Sequence, residues 1–308
     1  MGAVRTTRPG RRAGIHRVLI ALVLLGIAGC QGPRARKVEP YTGPTDPMRV
    51  VVQDINANSN AIPTIWARHY FSGTLVDDRG KSTYVNTEGL LLVSKPRAVR
   101  MVGRKPGATV FDMGTDGQRF WVSVPIEVDT MWWGHNRNIG KPCVRGGVPI
   151  QPDSIFEVLG VGGFDVENLN QPPVPVMRFN AEADAYVFVW NRPLADRWAA
   201  TKEVWFDRAT RRAFRVLLYD DHGRVVLRAE LEDHKPIELD GQPRERWPWL
   251  ARVYRLSFPD SGSKITLSLE EVRLRSDAGA PNARSFAMPN PERAGVSKVV
   301  QIDENCGD

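Results

Sequence analysis

Side chains that catalytic metals and thiol chemistry require are scarce in this chain of 308 residues, which has three cysteines and five histidines. No HExxH or CxxC pair occurs, so the ligand spacing of a zinc site is missing. The glycine cluster at 160–163 lacks the Gly-Lys-Ser/Thr that completes a phosphate-binding loop. Ser261-Gly262-Ser263-Lys264 matches the SxxK motif, but it lies in a predicted turn and not at the start of a helix. We therefore predict a protein that is not an enzyme and that holds no metal or cofactor.

The sequence also lacks an apolar run long enough to cross a bilayer of roughly 30 Å as a helix. Its most apolar stretch, residues 18–27, follows a leader that has five arginines and no acidic residue. This order is typical of a secretory signal, and Ile27-Ala28-Gly29-Cys30 resembles the lipobox of bacterial lipoproteins. The resemblance implies that residues 1–29 are removed and that Cys30 is acylated. In the alternative interpretation the leader is an ordinary export signal and Cys30 has no role.

Removal of the leader changes the charge balance, because five of the 42 lysines and arginines are lost while all 35 acidic residues remain. The net charge falls to about +2, which removes the main argument for nucleic-acid binding. Residues 30–47 are rich in proline, glycine and charge, and we predict a lipidated N-terminus and flexible tether there. The residue after the cysteine is Gln31, and in this it resembles the residue at the same position in lipoproteins that reach the outer membrane. We therefore expect a lipid-anchored, periplasm-facing protein in a bacterium with two membranes.

Residues 48–308 are predicted to form one domain, which begins with a helix at 48–62 and continues with two-residue periodicity. We predict about ten or eleven strands, most of them joined by turns of hairpin length. Ile265, Leu267 and Leu269 alternate with polar residues, so one face of the sheet is apolar and needs a cover. Because little helix is available, we predict a mainly β fold, an open, curved antiparallel half-barrel with a few short helices covering its concave face. A barrel or sandwich with a fully packed core is the alternative.

Three sequence patches resemble the LolA/LolB superfamily of outer-membrane lipoprotein-sorting proteins. They are residues 54–58 (DINAN) ahead of Ile62-Pro63, residues 109–121 (TVFDMGTDGQRFW), and residues 285–291 (SFAMPNP) with 295–296 and 299–300. The resemblance implies a half-barrel that holds an acyl chain, a lipoprotein or another amphiphile in a hydrophobic pocket, for lipid or lipoprotein trafficking. A non-catalytic periplasmic sensor or interaction protein on the same fold is the alternative function.

The implied pocket needs apolar side chains on the inward face of the strands. Strand alternation makes the candidates Phe120, Val122, Phe188, Trp190, Val204, Phe206, Val216, Leu218, Leu267 and Leu269. Plain core packing is the alternative role for each of them. Trp132 and Trp133 are candidates for contact with a membrane or a protein partner. An oxidising compartment permits a disulfide between Cys143 and Cys306, a pairing that the sequence alone leaves open.

Overall fold

The computed structural model describes residues 39–77, 79–139, 141, 143–144, 152–167, 169, 175–274 and 282–307. The predicted signal peptide, Cys30 and the first part of the predicted tether lie outside the described residues. Residues Pro40–Asp308 form one compact unit, in which residues of the segment 40–47 also make contacts, while the predicted boundary at residue 47 stays a prediction. The Tyr41 ring, for example, contacts the Phe179 ring at 5.9 Å, and its backbone N–H donates to the carbonyl of Ala181.

The described part of the chain forms sixteen strands and three α-helices. In chain order the strands are β1 Thr64–Val76, β2 Ser82–Ser94, β3 Ala98–Lys105, β4 Ala108–Asp116, β5 Arg119–Val124, β6 Thr130–His135, β7 Pro175–Asn180, β8 Ala185–Pro193, β9 Trp198–Asp207, β10 Ala213–Tyr219, β11 Val225–Glu232, β12 Lys235–Pro236, β13 Trp249–Leu250, β14 Val253–Phe258, β15 Ser263–Arg273 and β16 Lys298–Gln301. The helices are α1 Met48–Asn60, α2 Pro152–Leu159 and α3 Pro291–Ala294. Among the described helices, none combines the length and the apolar composition that a membrane crossing requires.

Fourteen of the strands form one sheet, in the order β16-β6-β5-β4-β3-β2-β1-β15-β14-β11-β10-β9-β8-β7. Neighbouring strands run antiparallel, with the exception of β16 and β6, which are parallel. The strands β12 and β13 form a separate two-stranded sheet. The large sheet is curved and ends at β16 on one side and β7 on the other, so it is not closed into a barrel. The predicted open, mainly antiparallel half-barrel with short helices is confirmed.

The large sheet has more strands than the ten or eleven that the sequence predicts. The sequence shows no regular periodicity from residue 129 to residue 152, which indicates irregular structure there, whereas residues 130–135 form β6. The adjacent residues Trp132 and Trp133 hide the alternation, because both are half-buried although they project to opposite faces. Pairing with β5 and β16 holds β6 in place, and a local pattern does not reveal such long-range contacts.

The face of the sheet opposite the helices α1 and α2 is covered at one end by a helical turn, Ala283–Phe286. Beneath this turn, the buried Asp112 accepts hydrogen bonds from Arg100 at 2.7 Å and from Trp121 Nε1 at 3.1 Å. Arg100 also donates to the carbonyl of Ser285 at 3.1 Å. This network attaches the C-terminal segment to the strands β3, β4 and β5.

A disulfide joins Cys143, which follows β6, to Cys306 near the C-terminus, with an S–S distance of 2.00 Å. The pairing that the sequence leaves open is therefore present in the structure. Because 163 residues separate the two cysteines, the bridge closes a long loop that includes most of the sheet.

Candidate functional site

The concave face is the surface formed by the inward side chains of the large sheet, which α1 and α2 cover. Strand register defines its members, since Phe188 lies opposite Val204 and Val204 lies opposite Val216. All ten pocket candidates named from the sequence are buried or half-buried. Those that form one apolar cluster with α1 and α2 are Val122, Phe188, Val204, Phe206, Val216, Leu267 and Leu269.

The other three candidates occupy two places. Trp190 and Leu218 are half-buried and pack against the apolar cluster of the concave face. Phe120 is buried next to Gly134 and Ile302, near the β16 end of the sheet. The inward parity assigned from the sequence thus agrees with the register, while contact of these side chains with a ligand stays a prediction.

Helix α1 is held on the concave face by polar side chains as well as by apolar packing. Its buried apolar residues are Val51, Val52 and Ile55. Asn56 exchanges two hydrogen bonds with the backbone of Phe164, at 2.7 and 2.8 Å. Asn58 makes the same exchange with Trp249, at 2.7 and 3.1 Å. The polar residues of the DINAN patch therefore fasten α1 to the loop after α2 and to β13.

Ser59 is a polar residue on the buried stripe of α1, and only 3% of its surface is exposed. Its hydroxyl donates to the carbonyl of Val161 at 2.8 Å. Lys95 Nζ donates to the Ser59 carbonyl at 2.6 Å and to its hydroxyl at 2.9 Å. Burial lowers the pKa of Lys95 to about 8. Any shift of the C-terminal end of α1 has to break these hydrogen bonds.

Helix α2 rests on the concave face through three buried apolar side chains, those of Ile155, Val158 and Leu159. Glu157 on the same helix forms an ion pair with Lys202 of β9, at 2.6 Å. Both side chains of the pair are partly exposed, 37% for Glu157 and 21% for Lys202. Because α2 also contacts β3 and β4, it bridges two distant parts of the curved sheet.

Among the cavities of the described residues, three lie beneath α2 and the loop that follows it. The first, of about 30 Å³, is lined by the apolar residues Phe71, Met101, Ile155, Val158, Leu159, Leu227, Leu256, Ile265 and Leu267. The second, of about 20 Å³, shares Leu159 with the first and shares Gly160, Gly162 and Phe206 with the third. Protein interiors contain few voids larger than a water molecule, and of the three only the third, of about 100 Å³, clearly exceeds that size. Packing is therefore incomplete chiefly at that cavity. An acyl chain does not fit into them while α2 stays in place.

The third cavity is an aromatic chamber of about 100 Å³. Its lining residues are Phe156, Glu157, Gly160, Gly162, Gly163, Phe164, Trp190, Lys202, Val204 and Phe206. The ring of Phe164 stacks on that of Trp190, with ring centres 5.3 Å apart. Lys202 Nζ lies 4.4 Å from the centre of the Trp190 ring. The chamber therefore combines an apolar interior with one cation at its rim.

Lys202 is the residue of this site that the sequence analysis missed. Its spacing from Val204 and Phe206 is two and four residues, which places it on the inward face of β9. A search of that face for apolar residues passes over a lysine. Lys202 can be found from the sequence when every inward position of β9 is considered, whatever its residue type.

An open groove of about 730 Å³ adjoins α2 and shares Phe156 and Glu157 with the aromatic chamber. Its other charged or ionisable lining residues are Arg97, His135 and Arg137. We call it the basic groove. Helix α2 thus separates an apolar interior from a positively charged surface.

Asp303 fixes the His135 side of the basic groove. Its carboxylate accepts hydrogen bonds from the backbone N–H of His135 at 2.8 Å and from Asn138 at 2.8 Å. It also lies 2.9 Å from His135 Nδ1. Burial opposes ionisation of Asp303, but hydrogen bonds from Asn138, His135 and Gln301 hold the pKa of this carboxyl well below its usual range.

His69 is a fully buried ionisable residue of the concave face. Its ring stacks on Phe111, and Nε2 lies 3.0 Å from the carbonyl of Val102. Burial lowers the pKa of His69 to about 4, so the ring is neutral near pH 7. No group of three or more histidine, cysteine, aspartate or glutamate side chains in the described part of the chain is placed to hold a metal ion.

Trp132 and Trp133 lie in β6, next to the terminal strand β16. Both are half-buried, and the ring of Trp133 makes an edge contact with that of His135 at 5.5 Å. Contact of these two residues with a membrane or a partner stays a prediction.

No protein-family model matches this chain, and no curated protein sequence matches it. Several solved structures are similar to it. A DUF1329 family protein from Desulfovibrio piger is 14% identical, with 78% of this chain and 98% of that chain covered and a TM-score of 0.47. A LolA superfamily protein from Nitrosomonas europaea is 13% identical, with 77% and 97% covered and a TM-score of 0.45.

An outer membrane lipoprotein-sorting protein domain from Vibrio parahaemolyticus is 14% identical, with 74% of this chain and 92% of that chain covered and a TM-score of 0.41. LolA-superfamily proteins are thus among the structures similar to this chain, as the three sequence patches predict. At these identities and TM-scores the likeness supports no conclusion about ligand or activity.

Proposed function

We propose that this chain is a non-catalytic lipoprotein of the bacterial envelope that binds an acyl chain, an acylated peptide or a similar amphiphile between the concave face and α2. Its role is then lipid or lipoprotein trafficking. The observation that carries the proposal is the row of cavities beneath α2, one of which is lined by apolar side chains alone. Apolar lining is what an acyl chain requires, since its binding is driven by removal of methylene groups from water.

Ligand entry requires that α2 moves away from the sheet, because the cavities are too small for a chain while it is seated. Each methylene group that leaves water contributes about 0.8 kcal/mol, so a chain of about twelve carbons recovers roughly 10 kcal/mol. Exposure of the three apolar side chains of α2 costs about 2 to 3 kcal/mol each. The gain from the chain is therefore similar in size to the cost of lifting α2, so exchange of one set of apolar contacts for the other is energetically feasible.

The proposed location rests on the N-terminal sequence. The lipobox-like residues 27–30 favour acylation of Cys30, and Gln31 favours transfer to the outer membrane, with the folded part in the periplasm. The disulfide between Cys143 and Cys306 supports export to an oxidising compartment. Loss of fatty acid from the protein in a Cys30→Ala variant, measured by mass spectrometry of the N-terminal peptide, tests the anchor.

Native mass spectrometry with lipid extraction tests the proposed function. The chain from residue 30 onward, exported without acylation, includes every residue that the structure describes. We expect copurified phospholipid, fatty acid or acylated peptide. A lipid-free mass, together with failure to take up a neutral fluorescent probe such as N-phenyl-1-naphthylamine, contradicts the proposal.

A pair of matched substitutions locates the binding site. Val204→Phe adds bulk to the aromatic chamber from the sheet side, whereas Val176→Phe makes the same change on β7, where the valine is 56% exposed. We expect the first to reduce copurified lipid at least about fivefold, because the larger side chain occupies space on the sheet that remains when α2 moves away. The second should leave the lipid content unchanged. Equal lipid in both variants contradicts a site beneath α2.

A protein-interaction role is the second candidate function. It is favoured by three exposed apolar residues near the β16 end of the sheet, namely Ile126, Val128 and Val299. The first two lie in the turn before β6, and the third lies in β16, which pairs with β6. If the exported chain is free of lipid, charged substitutions at these positions and capture of crosslinked periplasmic partners become the decisive experiment.

A further inference from the structure

We infer that Lys202 recognises the negatively charged head group of the ligand, so that the preferred ligands are anionic amphiphiles and not neutral lipids. In this arrangement the carboxylate or phosphate of the ligand takes the place of Glu157 at Lys202. The acyl chain then extends into the aromatic chamber and beneath α2. The inference rests on the proposed function and deepens it, because it names the ligand class.

The position of Lys202 is the first step. It projects from the inward face of β9, beside Val204 and Phe206, into the aromatic chamber. A lysine at such a position needs a compensating group, because an isolated charge near an apolar surface is costly. In the structure that group is the Glu157 carboxylate, 2.6 Å away. A ligand that removes α2 removes Glu157 as well and has to supply another anion.

Exchange of one anion for another at this lysine is the second step. The Glu157–Lys202 pair is partly exposed, and such pairs contribute little to stability. A ligand carboxylate or phosphate forms the same charge-assisted hydrogen bond and keeps Lys202 satisfied. A neutral head group leaves the lysine without an anionic partner. The ion pair therefore breaks at little cost when the site opens, and the lysine that it leaves behind selects for an anion.

The basic groove provides the route for the head group. Glu157 and Phe156 line both this groove and the aromatic chamber, so the two spaces meet where α2 lies. Arg97 in the groove adds positive charge on the approach to Lys202. A ligand with an anionic head and an apolar tail matches this arrangement of charge outside and aromatic rings inside.

The test measures displacement of the neutral probe N-phenyl-1-naphthylamine from the chain beginning at residue 30. The competitors carry the same oleoyl chain with three different head groups: oleate, oleoyl lysophosphatidate and monoolein. Each is tested against the parent chain and against Lys202→Met, Lys202→Arg and Glu157→Gln. Thermal unfolding of each variant checks that it is folded.

We expect Lys202→Met to weaken the binding of at least one of the two anions about tenfold, while the binding of monoolein changes less than about twofold. Lys202→Arg should retain anion binding, and Glu157→Gln should strengthen it, because the competing carboxylate is gone. A loss confined to oleate identifies a free fatty acid as the ligand source, and a loss confined to lysophosphatidate identifies a phospholipid.

Two results overturn the inference. If Lys202→Met weakens monoolein as much as the anions, Lys202 acts only in packing. If neither anion responds to Lys202→Met, head-group recognition lies elsewhere, while the hydrophobic site itself stands. Failure of the probe and of all three competitors to bind the parent chain is a different outcome, which contradicts the proposed function together with the inference. Should Lys202→Met not fold, Glu157→Gln decides: stronger binding of the anions without stronger binding of monoolein supports the inference, and an equal change for all three competitors overturns it.

Discussion

The two helices that cover the concave face are held in different ways. Asn56, Asn58 and Ser59 of α1 make side-chain hydrogen bonds to backbone groups of distant segments. Helix α2 rests on three apolar side chains above a row of cavities, with the partly exposed Glu157–Lys202 ion pair beside them. The same apolar face therefore has one firmly attached cover and one loosely attached cover.

The difference separates a structural element from an element that can open. Withdrawal of α1 leaves several buried polar groups without partners, which is costly. Withdrawal of α2 gives up apolar contacts that are already incomplete, and a ligand can restore them. In the proposed function, ligand entry therefore occurs at α2, whereas α1 belongs to the permanent framework of the fold.

Acidification tests the stability of the concave face that both helices cover. The pKa of His69 is about 4 in the folded chain and 6.5 in its ordinary state, so below pH 6.5 the unfolded chain binds a proton that the folded chain does not. The free energy of unfolding should be highest above about pH 6.5 and should fall by up to about 3 kcal/mol as the pH decreases to about 4. Denaturant titrations across this range measure the effect.

The control for this prediction is His69→Gln, which lacks the titrating ring and should show a flatter profile between pH 4 and 6.5. The pKa of Asp220 is about 2, so its loss of stabilisation falls below this window. An equally steep decrease in the His69→Gln variant contradicts the assignment to His69.

Removal of a side chain that hydrogen-bonds α1 to a distant segment should have the next largest effect on the free energy of unfolding. Asn56→Ala deletes two hydrogen bonds and leaves the N–H and carbonyl of Phe164 without their partners, so the free energy of unfolding should fall by about 2 kcal/mol. Asn56→Asp can accept from the N–H but cannot donate to the carbonyl. Its free energy of unfolding should therefore lie between those of the parent chain and Asn56→Ala. Chemical denaturation measures both variants. A loss below about 0.5 kcal/mol in Asn56→Ala makes α1 no more firmly attached than α2.

Hydrogen exchange compares the helices within one molecule. Peptides that cover α2 should take up deuterium at least about tenfold faster than peptides that cover α1, which corresponds to about 1.4 kcal/mol in local opening free energy. Addition of oleate should change the rate of deuterium uptake in α2 but leave the rate in α1 unchanged, because the proposed ligand acts at α2 alone. Mass spectrometry after timed labelling provides the measurement, and equal protection of the two helices contradicts the comparison.

The smallest effect is expected from the ion pair of α2. Glu157→Gln should change the free energy of unfolding by less than about 1 kcal/mol, since the pair is partly exposed, yet it should raise deuterium uptake in α2. Glu271→Gln is the matched control, because Glu271 forms a similar exposed ion pair with Arg68 at 2.9 Å. This control should leave uptake in α2 unchanged. Equal uptake in the two variants indicates that Glu157 does not hold the helix.

Much of the fold follows from local sequence patterns. The helix predicted at 48–62 is α1, and the two-residue periodicity predicted after it corresponds to the strands that begin with β1 and β2. Strand β6 escapes prediction because its two tryptophans disguise the alternation. Ser59 weakens the helical pattern of α1 in sequence, and its hydrogen bonds to Val161 and Lys95 explain why it is buried.

Less of the site follows from the sequence. The inward residues of β8, β9 and β10 are assigned correctly by alternation, because side chains in a strand project to alternate faces. The cavities and the contact of Glu157 with Lys202 are not encoded in any local pattern, since α2 and β9 lie 45 residues apart at this contact. The role of Asn56 and Asn58 depends equally on distant backbone groups.

The sequence by itself determined most of the strands and many of the side chains that face the core, because these properties depend on neighbours along the chain. Only the tertiary structure decided that Cys143 meets Cys306, that β6 pairs with β16, and that α2 closes the concave face through Lys202. These contacts arise from the curvature and order of the sheet. Both are set by burial of the apolar face of the whole sheet and not by any single segment.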